Sequence, residues 1–203
     1  MKRHLLIFST LIVIIVGGCS KENELQKSVL LYDDEFPDLP AYSEWGYNTF
    51  GVYYDREVFI SNNSIVPAKV IVTNNSTSFV LDGQKGNMNY YSDYWNVMSI
   101  TFKMSGFAPG QYTDLIVLND TTLDLKNPAC QVLLSIDTMV YRANILSGGL
   151  MFKRAQNLTV DKNQIEVILS GYFEFKALIN DKPVTFSNGR FDVGISPDNF
   201  YNY

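Results

Sequence analysis

Histidine and cysteine decide which reactions this chain of 203 residues can run. Its one histidine, His4, stands in a greasy N-terminal run, and its two cysteines are Cys19 and Cys130. A body without imidazole builds neither a Ser-His-Asp nor a Cys-His nucleophile, and it lacks the Cys/His set of a structural zinc site. Carboxylates remain. Glu57, Glu166, Glu174 and Asp192 are the candidates for a glycosidase pair, which needs two carboxyls roughly 5–10 Å apart across a cleft. Glu166, Glu174 and Lys176 fall on the polar face of one strand, where cross-strand ion pairs and solubility account for them. The expectation is therefore a protein that is not an enzyme, with no catalytic residue and no cofactor. The cluster Asp33, Asp34, Glu35 and Asp38 lacks the D-x-[DN]-x-[DN]-G spacing and turn glycine of a calcium loop, so it reads as solvated linker and no metal site is expected. Gly83-Gln84-Lys85-Gly86 lacks the Walker spacing and leads into a strand, which excludes a phosphate loop.

Recognition chemistry is richer. Tyr90, Tyr91, Asp93, Tyr94 and Trp95 form a loop-like segment in which flat rings alternate with polar side chains. Rings stack on sugar faces while amides and carboxylates meet hydroxyls, so these five residues are the candidate ligand-binding set for a glycan or peptide. The competing reading is that the rings cap the open end of a β core with their polar ends in water.

The N-terminus bears on where such a site would work. Lys2 and Arg3 precede an apolar run from Leu5 to Val16, interrupted by Ser9 and Thr10 and ending in Gly17-Gly18-Cys19. Twelve residues are too few for a permanent membrane helix, which needs about 20, so residues 1–18 read as a signal peptide. Val16-Gly17-Gly18-Cys19 resembles a bacterial lipobox, which implies acylation of the Cys19 sulfur and a palmitate-type lipid anchor in the membrane. Ser20-Lys21-Glu22-Asn23-Glu24 resembles the charged export signal of Bacteroidetes surface lipoproteins, implying an outer-membrane protein at the cell surface, with the periplasmic face as the alternative. Lys2 and Arg3 leave with the signal, so of the 16 basic residues 14 face 21 acidic ones, a formal balance of −7. Such a body is a poor partner for nucleic acid. Acylation of Cys19 leaves Cys130 as the sole thiol, and its place in the alternation Cys130, Val132, Leu134, Ile136 predicts a buried, inert one.

Period-two patterning predicts the elements that would carry these residues. Residues 19–47 read as the lipidated cysteine and a flexible tether, and residues 48–203 as a single β domain. Strands are expected near 48–54, 57–61, 68–73, 77–82, 96–104, 111–119, 130–136, 139–145, 149–154, 157–160, 164–179, 183–187 and 189–195. In the longest of them every odd position from Ile165 to Ile179 is apolar or glycine, and Gly171 at its middle predicts a bulge or bend. Asn188-Gly189 is the strongest hairpin signal. Short turns between consecutive strands predict an all-β antiparallel fold, either a β-sandwich or a flattened, lipocalin-like barrel.

Asn48-Thr49-Phe50-Gly51-Val52, Gly171-Tyr172-Phe173-Glu174-Phe175 and Asn188-Gly189-Arg190-Phe191-Asp192-Val193 resemble segments of the β-rich lipoproteins of unknown function found in Bacteroidetes. The resemblance implies location and fold and carries no catalytic residue. Asp120-Thr121-Thr122 and Asp137-Thr138-Met139 resemble the O-glycosylation triplet of the same bacteria. The expected function is a lipid-anchored, non-catalytic envelope module that binds a glycan or peptide. The alternative is a structural or assembly accessory of an outer-membrane complex that meets an envelope protein through a strand edge.

Overall fold

The computed structural model describes residues 27–61, 66–86 and 96–203. Twelve strands lie among them: β1 (Thr49–Tyr54), β2 (Glu57–Ile60), β3 (Ala68–Thr73), β4 (Ser76–Lys85), β5 (Asn96–Ser105), β6 (Thr121–Asp124), β7 (Cys130–Ile136), β8 (Met139–Arg142), β9 (Asn144–Val160), β10 (Asn163–Ile179), β11 (Lys182–Ile195) and β12 (Phe200–Asn202). The ladder runs β6-β9-β10-β11-β1-β2-β4-β5-β7-β8, antiparallel throughout. Its end strands do not pair with each other, so the sheet does not close into a barrel and the fold is β-sandwich-like.

The two layers arise at β4. One edge of β4 pairs with β5 along its whole length, and the other is shared, with β3 taking Ser76–Leu81 and β2 taking Gln84 and Lys85. Strands before and after this fork therefore part into two faces that close on each other. Phe79 of β4 meets Phe191 of β11 at 5.2 Å and Phe152 of β9 at 5.6 Å, and Phe102 of β5 meets Phe173 of β10 at 5.3 Å. Tilted and edge-to-face ring pairs of this kind add about 0.5–1.5 kcal/mol per pair beyond the area they bury. The C-terminal strand β12 lies parallel to β3, and Asn199 just before it donates from Nδ2 to Ala68 O at 3.0 Å and to Gly194 O at 2.9 Å, stitching one layer to the other.

Several strand boundaries depart from the sequence pattern. Residues 111–119, expected as a strand, form a 3-10 segment, Tyr112–Leu118, that buries Leu115 and Leu118. Two leucines three apart share one side of a three-residue turn. The segments expected at 149–154 and 157–160 are one strand, β9, and β6 was not expected at all. Asn188-Gly189 closes no hairpin. Its left-handed Asn188, with φ 53°, instead takes up one extra residue of β11 against both neighbours, where pairing jumps from Phe173 opposite Gly189 to Phe175 opposite Phe186. A bulge and a tight hairpin turn draw on the same left-handed conformation, and full-length pairing with β10 decides between them here. Gly171 does mark an irregularity: the β9 register shifts between Ser170 and Gly171, and a Cβ there would overlap the Met151 carbonyl and stand 2.8 Å from the Phe191 ring.

The described part of the expected tether is no free linker. Residues 27–47 lie against the sheet, because their apolar side chains pack on β2 and their polar groups bond to Arg190 and Asp192 of β11. Leu39 is fully buried with Val58 and Ile60, flanked by Phe36 and Tyr53. Val29 N–H donates to Tyr47 O at 2.8 Å and Asp33 N–H to Leu39 O at 3.1 Å. Asp33, read as a member of a solvated acidic cluster, pairs with the buried Arg190, whose guanidinium also lies 4.9 Å from the centre of the Phe36 ring.

Candidate functional site

The C-terminal part of this segment, residues 42–47, forms a strap across the outer face of β10 and β11, and one carboxylate holds it. Asp192 is buried and accepts from Gly46 N–H at 2.8 Å, Tyr47 N–H at 3.0 Å and Trp45 N–H at 3.2 Å, from Ser170 Oγ at 3.2 Å, and from Ser43 Oγ. An ionised carboxylate makes stronger hydrogen bonds than a neutral acceptor, and here it turns three successive backbone amides inward. Gly46, with φ 75°, gives the left-handed step that this turn requires. Below the strap Asn48 Oδ1 accepts from Gly194 N–H at 2.9 Å.

With its backbone fixed from beneath, the strap turns Trp45 outward. Trp45 is 74% exposed. Tyr42 stacks on Tyr172 of β10, with ring centres 4.3 Å apart, and its hydroxyl donates to Glu44 Oε1 at 3.0 Å. Glu44 Oε2 accepts from Arg154 of β9 at 3.2 Å, Arg154 Nε donates to Gln156 Oε1 at 2.7 Å, and Gln156 Nε2 donates back to Glu44 O at 2.8 Å. These contacts orient the Glu44, Arg154 and Gln156 side chains together. Burial, and then the hydrogen bond to Glu44, holds the Tyr42 hydroxyl protonated far above its ordinary range. Burial also raises Tyr172. Beside the strap an open groove of about 590 Å3 is lined by Glu44, Asn119, Asp120, Lys153, Arg154 and Gln156. Its surface offers hydrogen-bond donors and acceptors, and Glu44 joins it to the strap that carries Trp45.

The residues singled out from the sequence fall elsewhere. Cys19 and the ligand-binding set Tyr90, Tyr91, Asp93, Tyr94 and Trp95 lie outside the described residues. Of the four candidate carboxylates, Glu57 pairs with Lys85 at 2.7 Å and Glu174 is exposed. Glu166 is the correction: expected on a solvated face, it is 7% exposed, because the strap covers that half of β10. Burial pushes its carboxyl up to about 7, with the neighbouring Asp192 charge adding to the rise. Glu166 and Asp192 thus come together, but beneath a strap rather than across an open cleft. Cys130, expected to be buried, is half-buried, and its thiol is pushed up first by burial and then by Asp124. Among the described residues no group of three or more His, Cys, Asp or Glu side chains is placed to hold a metal ion. Asp120 and Asp137 both take left-handed turns at exposed positions, so the two triplets they open lie at the surface.

Sequence reasoning missed Tyr42, Glu44 and Trp45 because they fall in a stretch read as linker. A signal was present in Gly189-Arg190-Phe191-Asp192. Phe191 points into the core, while Arg190 and Asp192 are charged yet buried, which requires a partner from outside the sheet. Compared with protein-family models, curated proteins and solved structures, the chain matches none.

Proposed function

We propose that this protein is a non-catalytic binding module of the cell envelope, held at the outer membrane by an acylated Cys19, that recognises a carbohydrate on the face of the strap. The observation that carries the reading is Trp45, an indole left in water on a backbone that Asp192 fixes from below. An exposed indole presents a flat apolar face on which a sugar ring stacks, and a backbone already fixed has less entropy to lose when it does so. Glu44, Arg154 and Gln156 supply hydroxyl partners on the adjoining groove wall. The Tyr90–Trp95 segment is the second proposed contact.

The chain has two tryptophans, Trp45 and Trp95, one in each proposed contact. Titrating a glycan panel while following indole fluorescence of the Trp45→Phe and Trp95→Phe variants assigns each signal, and Trp45→Ala is expected to weaken binding about tenfold or more. Equal affinities in the parent, Trp45→Ala and Trp95→Ala proteins would remove the reading. Intact mass of the mature chain tests the anchor at Cys19.

One observation favours the accessory reading as an alternative. Met139 and Val140 are 62% and 65% exposed on β8, which pairs with β7 alone among the described residues. An open strand edge of this kind takes up a partner strand. Crosslinking in cells separates the two readings, since a recurrent protein partner attached at β8 supports the second.

A further inference from the structure

The two ends of the ladder approach each other at a corner. β8 stops at Arg142, Ala143 N–H donates to Val132 O at 3.0 Å, and the chain enters β9. The loop between β6 and β7 crosses the gap, with Leu125 N–H on Gly148 O at 3.1 Å and Cys130 N–H on Asn127 O at 2.8 Å. A groove of about 390 Å3 lies in this corner, within the ~300–1,000 Å3 usual for small-molecule sites.

Its lining contains Lys126 and Arg142 and no carboxylate. Elsewhere on this acidic protein Lys69, Lys85, Lys153, Arg154 and Arg190 each lie within 4.0 Å of an acid. Lys126 and Arg142 have no such partner among the described residues, a condition they share with Lys27, Arg56, Lys103, Lys162, Lys176 and Lys182, and what sets the two apart is that they line one groove. Asp124, the nearest acid along the loop, accepts from the Lys126 backbone N–H at 2.9 Å and makes no ion pair with its ammonium. Lys103 stands opposite Gln131 in the β5–β7 ladder and adds a third cation on that side. Amides complete the polar wall. Asn127 Oδ1 is occupied by Ala129 N–H at 2.9 Å, which leaves its Nδ2 hydrogens to donate, and Gln131 and Asn144 stand beside it.

We infer that this corner groove binds the carboxylate of an acidic sugar. The planar fork of Arg142 matches a carboxylate and Lys126 adds a point charge. Asn127, Gln131 and Asn144 supply amide donors and acceptors for ring hydroxyls, and titration with hexaglutamate separates a sugar from an acidic peptide. The site is separate from the strap, and it stands or falls independently of Trp45.

The test is titration of the full chain with trigalacturonate, with maltotriose as the neutral probe and hexaglutamate as the acidic peptide. Arg142→Gln and Lys126→Gln are each expected to weaken trigalacturonate binding about tenfold. Lys182→Gln, at an exposed cation outside the groove, is expected to leave it unchanged. Arg142 and Lys126 are exposed, so both variants are expected to keep the parent melting temperature. Absence of trigalacturonate binding, unchanged affinity in the Arg142→Gln/Lys126→Gln double variant, or an equal loss of maltotriose or hexaglutamate binding in that double variant would each overturn the assignment.

Discussion

Asp192 on β11 and Glu166 on β10 are buried side by side under the same strap, yet only Asp192 is furnished with donors. It accepts from three backbone amides and two hydroxyls, whereas no hydrogen bond reaches the Glu166 carboxyl among the described residues. One carboxylate therefore fastens the strap and the other is set against it.

Asp192→Ala is expected to release residues 43–47. The substitution leaves three amides and two hydroxyls without an acceptor, and part of that loss is recovered by water, for a net destabilisation of about 3 kcal/mol. Urea midpoints measure it. Faster hydrogen exchange at Trp45, Gly46 and Tyr47 in the variant would localise the effect to the strap.

Glu166 predicts how stability varies with pH. Its carboxyl titrates near 7 in the folded protein against an ordinary value of 4.5, so the folded state holds its proton over a range where the unfolded state has released it. Stability is then greatest below about 4.5, falls as pH rises to about 7, and stays lower beyond that by about 3 kcal/mol. Glu166→Gln is expected to remove this slope and to be more stable than the parent at pH 8. Chemical denaturation at pH 4, 6 and 8 checks the sign.

Gly171→Ala is expected to damage the core of the fold. Its methyl group would overlap the Met151 backbone carbonyl, which β9 cannot withdraw without losing pairing, so a destabilisation of about 3 kcal/mol or more is expected. The melting temperature of the purified variant reads it directly.

Asn199→Ala is expected to loosen the stitch between layers by about 2 kcal/mol, because two carbonyls, Ala68 O and Gly194 O, lose their shared donor. Exchange of Tyr203 N–H, which donates to Val72 O at 3.0 Å, should accelerate more than that of the central strands.

Much of the β architecture was legible because alternation reports one-sided burial. The odd positions of β10 from Val167 to Ile179 are all buried as the pattern requires, and Tyr172, Glu174 and Lys176 are exposed. The pattern failed where a second layer covers the outer face. Glu166, Ile168 and Ser170 are buried as well, and their mixed polarity disguises it. Residues 27–47 were unreadable for the complementary reason: they form almost no ladder of their own, and their order comes from partners such as Arg190 and Asp192, roughly 150 positions away. Asn188-Gly189 shows a third limit, since a local turn preference does not reveal whether the neighbouring strand continues past it. The strap site depends on contacts of this long-range kind, so its residue types were visible while their assembly was not.

The distance along the chain between the strap and its fastening has a consequence for how the molecule comes into being. Asp33 meets Arg190 across 157 positions, and β1 is zipped to β11, so a polypeptide emerging from its amino end cannot complete this face until nearly all of it has appeared. Until then the inner residues of the first strands have nothing to close upon, and maturation should be slow and late, governed by the arrival of the eleventh strand. A chaperone that shields nascent β segments would have its longest work here.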